Sequence, residues 1–138
     1  MAETYVLDSC AVLALLRAET GNEYVAELLR RAQNGETTVL MNWVNLGEVA
    51  YIVERRWGRG RLIEVLGTLE ATNIRFVPAG RNLTLGAARI KAAHPLAYAD
   101  AHAAALAIQE KAILVTGDPE FQLLSDEVDI HWINRMAA

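Results

Sequence analysis

The chain contains 138 residues, of which 53% are hydrophobic and 22% are charged. This length favours one domain, which we expect to span residues 1–138, and the composition excludes a disordered, collagen-like or disulfide-stabilised protein. The formal net charge of −4 argues against broad electrostatic adhesion to nucleic acids or anionic membranes. If a metal neutralised four of the 17 acids, the remaining 13 acids would balance the 13 bases. The location of the acids therefore says more about nucleic-acid binding than the net charge does.

The sequence has no candidate membrane span, because its uncharged stretches are shorter than the about 18 to 20 apolar residues that a spanning helix needs. Near the amino terminus, Glu3 stands where a secretion signal would have Lys or Arg. Cys10 is the only cysteine, so an internal disulfide is excluded, and its apolar neighbours indicate a small buried side chain. These features predict a cytoplasmic protein.

Short apolar segments rich in β-branched residues alternate with segments of helical periodicity. In chain order, the predicted elements are strand Thr4–Leu7, helix Val12–Leu16, helix Tyr24–Leu29, strand Thr37–Met41, helix Val44–Val53, helix Leu62–Leu69, strand Ile74–Val77, helix Leu83–Ile90, helix Leu96–Ile108, strand Ala112–Val115 and strand Val128–Ile133. Strands connected through helices predict a mostly parallel sheet with helices on both faces, which is a three-layer α/β/α sandwich. The local pattern does not select a strand order.

Two acids directly follow predicted strands. Asp8 comes after Tyr-Val-Leu, and Asp118 comes after Ile-Leu-Val-Thr-Gly. The carboxyl ends of parallel strands share one edge of a sheet, where α/β proteins bind ligands, so both acids could lie in one crevice. The alternative is that each acid caps the following helix, with Pro119 in the first helical position after Asp118.

A third acid, Glu48, lies on a predicted helix among apolar residues. It is four residues from both Val44 and Ile52, which places it in an apolar row of the helix. An ionised carboxylate removed from water needs a cation or hydrogen-bond donors to compensate for the lost hydration. The alternative is a salt bridge from Glu48 to Arg55, Arg56 or another surface base after a modest rotation of the helix.

The fourth acid, Asp100, lies within the segment Leu-Ala-Tyr-Ala-Asp-Ala-His-Ala-Ala-Ala-Leu-Ala-Ile, whose small side chains suit close packing. The alternative role for Asp100 is an interaction with the helix dipole after Pro95. Two acids at the sheet edge and two on inward helix faces would form an anionic pocket. Such a pocket favours Mg²⁺ or Mn²⁺, which bind oxygen ligands.

Four motifs occur in order along the chain: Val-Leu-Asp-Ser, Asn-Leu-Gly-Glu-Val, Tyr-Ala-Asp-Ala-His-Ala-Ala-Ala-Leu-Ala and Leu-Val-Thr-Gly-Asp-Pro-Glu-Phe. Through this ordered set the sequence resembles PIN-domain proteins over essentially its whole length. More narrowly, it is similar to the VapC ribonuclease toxins of toxin–antitoxin pairs.

The resemblance implies that the four acids bind Mg²⁺ or Mn²⁺ and hydrolyse RNA. These ligands are Asp8, Glu48, Asp100 and Asp118. It also implies that Thr116 orients a carboxylate or a water, while Glu120 or Asp126 could assist or replace the fourth ligand. We expect two metal ions about 4 Å apart, one activating water and the other stabilising the phosphate. The implied partners are an antitoxin that covers the acidic crevice and a second copy of the chain.

The densest basic segment is Glu-Arg-Arg-Trp-Gly-Arg-Gly-Arg, which is a candidate for contacts with RNA phosphates. Its bases are Arg55, Arg56, Arg59 and Arg61. The alternative is a solvated helix end in which the cations interact with the helix dipole. The three histidines have no spacing typical of a zinc site.

Two other functions remain open. A phosphoacceptor signalling domain would use Asp8, but it would leave Glu48 and Asp100 without a role, and Lys111 precedes a strand instead of following one. A catalytically silent interaction module would use the acidic crevice to bind basic segments of a partner.

Overall fold

The computed structural model describes residues 3–134, so the predicted domain over 1–138 includes ends that lie outside the described residues. The strands are β1 (Thr4–Leu7), β2 (Thr38–Asn42), β3 (Ile74–Val77), β4 (Ile113–Thr116) and β5 (Ile130–Trp132). The helices are α1 (Ser9–Leu16), α2 (Asn22–Gln33), α3 (Trp43–Trp57), α4 (Arg59–Glu70), α5 (Arg81–Ala93), α6 (Tyr98–Glu110) and a 3₁₀ helix, Pro119–Leu124. Every predicted strand and helix is present, and the 3₁₀ helix is the one that the capping alternative for Asp118 placed after that residue.

The five strands form one sheet in the order β3-β2-β1-β4-β5, and all neighbouring strands are parallel. Val6 of β1 is in register with Leu40 of β2 on one side and Leu114 of β4 on the other. Since the chain moves outward from β1 to β3 and then returns to β4, the strand order reverses between β1 and β4. Open α/β sheets bind ligands at such a reversal, just past the carboxyl ends of the strands.

Helices cover both faces of the sheet, as predicted. Leu7 points to the face packed by α1, α2, α3 and α4, and the preceding Val6 points to the face packed by α5, α6 and the 3₁₀ helix. On the second face, Ala101, Ala103 and Ala104 of α6 are fully buried. Small side chains allow the helix to lie close to the sheet, which brings the start of α6 to the strand edge.

The observed ends of several elements differ from the predicted ones. Helix α3 extends beyond the predicted range because the Asn42 side chain accepts a hydrogen bond from Val44 N (2.8 Å) at its start, and Gly58 ends it with a φ of 90°. Strand β5 is shorter than predicted.

Cys10 is only partly buried, in contrast to the buried position predicted for it, and burial raises the pKa of its thiol to about 11. None of the helices within residues 3–134 has the length and apolarity that crossing a lipid bilayer requires.

The turn before α2 depends on a glycine for two separate reasons, and this predicts a measurable difference between two glycine variants. Gly21 has a φ of 96°, and a Cβ there would lie 2.5 Å from the Cβ of Ile133. Gly35 also has a positive φ, 77°, but a Cβ there would meet no heavy atom within 4 Å. We expect Gly35→Ala to lower the free energy of unfolding by about 1 kcal/mol. Gly21→Ala should lower it by more than about 2 kcal/mol, because the steric clash adds to the conformational strain.

Urea denaturation of the two variants measures this difference. Equal losses would show that Ile133 moves away without a free-energy penalty, contrary to the expectation.

Candidate metal centre

Asp8 is fixed at the junction of β1 and α1 by two different donors. Its Oδ1 accepts a hydrogen bond from Ala11 N (2.8 Å), so it caps α1, and its Oδ2 accepts one from the Thr116 hydroxyl. The side chain is 1% exposed. The pKa of Asp8 is raised to about 7, mainly by burial and to a smaller extent by the negative charges of Asp118 and Glu48, against the effect of these hydrogen bonds. Asp8 is therefore both a helix cap and a buried acid whose two hydrogen-bond donors, Ala11 N and the Thr116 hydroxyl, are neutral.

Asp118 lies two residues beyond Thr116 at the end of β4. Its backbone N–H donates to the Thr116 hydroxyl oxygen (3.0 Å), and its Oδ1 accepts from Glu120 N (3.0 Å), which caps the 3₁₀ helix. The predicted cap with Pro119 next to it is confirmed. The Thr116 hydroxyl connects this segment to Asp8, because it accepts from one acid's backbone and donates to the other acid's carboxylate.

Asp100 lies in the first turn of α6 and is 5% exposed. The pKa of Asp100 is raised to about 8, mainly by burial and also by the negative charges of Asp118, Asp8 and Glu48. The position near the helix start agrees with the predicted dipole interaction. That interaction does not offset burial and repulsion by the neighbouring acids, so the dipole alone does not account for this carboxylate.

Glu48 is half-buried on α3 and faces the start of α1, where the Ser9 hydroxyl donates a hydrogen bond to its Oε1. No ion pair to Arg55 or Arg56 occurs among the ion pairs of the described residues. The salt-bridge alternative is therefore not what the structure shows. The charge of Glu48 contributes to the raised pKa of both Asp8 and Asp100, which places all four predicted acids in one electrostatic environment.

Carboxylate oxygens of Asp100, Asp118 and Glu120 lie within 4.8 Å of one another. An all-oxygen set of anionic ligands is the type that Mg²⁺ and Mn²⁺ bind, so these residues fit a divalent cation. Of the two alternative acids, Glu120 joins the cluster. Asp126 instead lines a surface pocket with Lys111 and Ala112. Because Ala112 directly precedes β4, Asp126 lies at the amino edge of the sheet, opposite the acids.

Sequence reasoning did not identify two polar residues that support the acids. Ser9 is 7% exposed and donates to Glu48, and Asn45 is fully buried on α3 and donates from Nδ2 to Ala99 O (2.9 Å). The sequence offered a signal for both. Ser9 directly follows the first acid, and Asn45 precedes Glu48 by one helical turn.

The predicted arginine group does not surround the acids. It lies at the far end of α3 and the start of α4, and Arg55 is about 10 Å along the helix axis from Glu48. The contacts of the group are Arg55 with Tyr51, Arg56 with Trp57, Arg59 with Glu54 and Arg61 with Glu64. These local partners agree with the solvated helix end that was the alternative.

The histidines also lie apart from the cluster. His102 is buried, and its Nδ1 lies 2.9 Å from Tyr98 O. His94 ends α5 and pairs with Glu127, while His131 lies in β5 and stacks on Tyr24. The cluster found within residues 3–134 therefore consists of carboxylates, as expected.

Comparison with known proteins identifies the family. A model of the PIN domain matches residues 5–127. The chain belongs to the PIN domain family. No curated protein sequence matches it, so its similarity to individual proteins rests on solved structures.

Several solved toxin–antitoxin structures share the fold of this PIN domain. VapBC2 from Rickettsia felis, bound to a DNA fragment from its promoter, has a TM-score of 0.72 and 19% identity over 93% of this chain and 97% of that chain. VapBC-1 from nontypeable Haemophilus influenzae has a TM-score of 0.71 and 18% identity over 96% and 99% of the two chains. VapC20 from Mycobacterium tuberculosis, a toxin that cleaves the sarcin-ricin loop, has a TM-score of 0.64 and 18% identity over 86% and 93%. At these identities the matches establish a shared three-layer fold.

The raised pKa values predict how the stability of the metal-free protein depends on pH. In the folded protein Asp8 and Asp100 hold protons up to about pH 7 and 8, whereas in the unfolded chain they release them near pH 4. The unfolded state therefore binds fewer protons between these values, and the free energy of unfolding falls as the pH rises from about 5 to about 8. The two shifts together correspond to a fall on the order of 6 kcal/mol.

Urea unfolding in EDTA across this pH range tests the expectation, with Asp100→Asn as the comparison. The amide does not titrate and does not repel the other acids, so this variant should lose less stability with pH and be more stable than wild type at pH 8. Identical pH profiles would show that Asp100 does not titrate in this range.

Proposed function

We propose that this PIN domain is a cytoplasmic endoribonuclease that requires Mg²⁺ or Mn²⁺ and acts as the toxin of a toxin–antitoxin pair. The observation that carries the proposal is the convergence of Asp100, Asp118 and Glu120 beside the buried Asp8, without a basic partner for these acids among the ion pairs of the described residues. The shared fold of VapC proteins supports it, because one of them, VapC20, is a toxin that cleaves the sarcin-ricin loop.

The proposed ligands are Asp8, Glu48, Asp100 and Asp118, and Glu120 is placed to assist Asp118. These residues would hold a divalent ion, which would supply activation of water at neutral pH and neutralisation of charge on the scissile phosphate. The chain's own residues hold the ligands in place. Thr116 orients Asp8, and Ser9 orients Glu48. Attack of water on the phosphorus with departure of the 3′ oxygen would leave a 5′ phosphate on the product.

The geometry favours this reaction over a phosphoacceptor function, and a cleavage assay separates it from the interaction module. A phosphoacceptor site would use Asp8 alone, and it would leave the neighbouring carboxylates of Asp100, Asp118 and Glu120, whose oxygens lie within 4.8 Å of one another, without a role. An interaction module would also bind basic segments at the acidic crevice. It predicts binding of RNA or peptides without cleavage, so the cleavage assay separates it from the nuclease.

Cleavage of a single-stranded RNA by the purified protein tests the proposed function. Asp100→Asn and Glu48→Gln should each lower the cleavage rate by at least about 100-fold, because each removes an anionic ligand. EDTA should abolish cleavage, and Mn²⁺ or Mg²⁺ should restore it. Sequencing the RNA ends would then give the cleavage position.

Asp126→Asn is the matched control, since it also neutralises one acid but at the opposite edge of the sheet. It should retain the wild-type rate. Cleavage that persists in EDTA, or an Asp100→Asn variant as active as wild type, would refute the proposal.

Of the four arginines, Arg55 has the position best suited to contact RNA near the acids. It lies seven residues beyond Glu48 on the same face of α3, and its guanidinium lies 5.2 Å from the ring centroid of the exposed Tyr51. A base can stack on an exposed tyrosine while a guanidinium contacts the adjacent phosphate. We propose that RNA leaving the acidic site follows this face, while Arg56, Arg59 and Arg61 contribute long-range attraction.

We expect Arg55→Ala to raise the KM for RNA without a comparable change in kcat, and to reduce the slope of log KM against log salt by about 1. Arg61→Ala is the control, because Arg61 pairs with Glu64 on α4 (3.1 Å). Equal effects of the two substitutions would show that only overall charge matters.

We also propose the implied partners, a cognate antitoxin and a second copy of the chain. Trp43, Tyr51 and Trp57 are each between 44% and 50% exposed, so they belong to the surface and not to the core. Exposed aromatic side chains are enriched at protein interfaces. Sedimentation of the protein alone and with its co-purified partner measures both associations.

A further inference from the structure

Asn45 is a buried polar residue between the two helices that carry Glu48 and Asp100. It is fully buried on α3, and its Nδ2 donates to Ala99 O in the first turn of α6 (2.9 Å). Ala99 directly precedes Asp100, and Asn45 precedes Glu48 by one helical turn. The Asn45 amide thus connects the helical turn that carries Glu48 to the backbone next to Asp100, and both acids are proposed ligands.

The other half of this amide is left without a partner. The Oδ1 of Asn45 is buried and accepts no hydrogen bond. Among the buried side-chain nitrogen and oxygen atoms of residues 3–134, it is the one without a hydrogen-bond partner. A buried acceptor without a donor destabilises the folded state, and an apolar residue of similar size would avoid that penalty. The neighbouring Leu46 and Val49 show that α3 accommodates apolar side chains at buried positions.

The hydrogen bond to Ala99 is also unnecessary for forming α6. Carbonyl oxygens in the first turn of a helix accept from the backbone N–H four residues later, so Ala99 O has a helical partner without Asn45. The hydrogen bond from Nδ2 therefore constrains α6 relative to α3, and it does not replace a hydrogen bond that α6 would otherwise lack. Its contribution is to the placement of α6 relative to α3.

We propose that Asn45 is a positioning residue, which holds Asp100 in the arrangement with Glu48 that binds the divalent cation. The inference rests on the proposed function, because it assumes that both acids are ligands. Groups that orient metal ligands typically change metal affinity by about 10- to 100-fold when they are removed. Loss of a purely structural contact would lower thermal stability without a selective effect on metal affinity.

Titration of the RNA-free protein with Mn²⁺ tests this role by calorimetry, independently of cleavage. Asn45→Ala removes the amide, and Asn45→Val replaces it with an apolar side chain of similar size that also removes the unpaired oxygen. Both variants should bind Mn²⁺ about 10- to 100-fold more weakly than wild type at a temperature where they are folded. Asn45→Val should have a Tm at least as high as that of Asn45→Ala.

Asn42→Ala is the matched control. Asn42 is also a fully buried asparagine, at the start of α3, but its amide contacts Val44 N (2.8 Å) and Val77 O (3.4 Å) instead of α6. It should bind Mn²⁺ within twofold of wild type even though it loses a helix cap. An equal loss of affinity in Asn42→Ala would overturn the inference, because fraying of α3 would then explain the effect.

The remaining outcomes are also decisive. Mn²⁺ affinity within twofold of wild type in both Asn45 variants overturns the positioning role and leaves the proposed function intact. If neither variant folds, Asn45 is a structural residue and the inference fails. If wild type does not bind Mn²⁺, the proposed function fails first, and this inference fails with it.

Discussion

The burial of carboxylates beside one another at the carboxyl edge of the sheet is the constraint on which the rest of this structure depends. Burial and mutual repulsion raise the pKa of Asp8 to about 7 and that of Asp100 to about 8. The donors that reach the acids are neutral: hydroxyls from Ser9 and Thr116, and backbone N–H groups at helix starts. Neutral donors orient carboxylates but do not cancel their charge. A protein that keeps such a group of acids together is therefore poised to bind protons or a cation.

The fold brings the acids together by using two properties of a parallel sheet. Strands β1 and β4 are adjacent, and both end at the edge where the strand order reverses, so Asp8 and Asp118 approach each other although they are far apart in sequence. Helices α3 and α6 then contribute one acid each from opposite faces of the sheet. The alanine-rich surface of α6 matters here because small side chains let Asp100 approach the strand edge.

Capping a helix and the proposed binding of a cation are compatible roles for the same side chain. Asp8 uses one oxygen to cap α1 and the other to accept from Thr116, and Asp118 uses one oxygen to cap the 3₁₀ helix. The cap fixes the rotamer of each carboxylate before any ligand arrives. Evidence that an acid caps a helix thus does not argue against its presence in a site, and the two interpretations of these residues were never exclusive.

The sequence alone determined the element types, the three-layer fold and the chemical type of the site. Apolar periodicity is a local property, and an acid such as Glu48 or Asp100 on an apolar helix face is anomalous wherever the helix packs. Strand order, the choice of Glu120 over Asp126, and the separation of the arginines from the acids were decided only by the tertiary structure. Each depends on which distant segments pack against one another, and neither periodicity nor spacing contains that information. The role of Asn45 was hidden for the same reason, since its partner Ala99 O is a backbone atom 54 positions away.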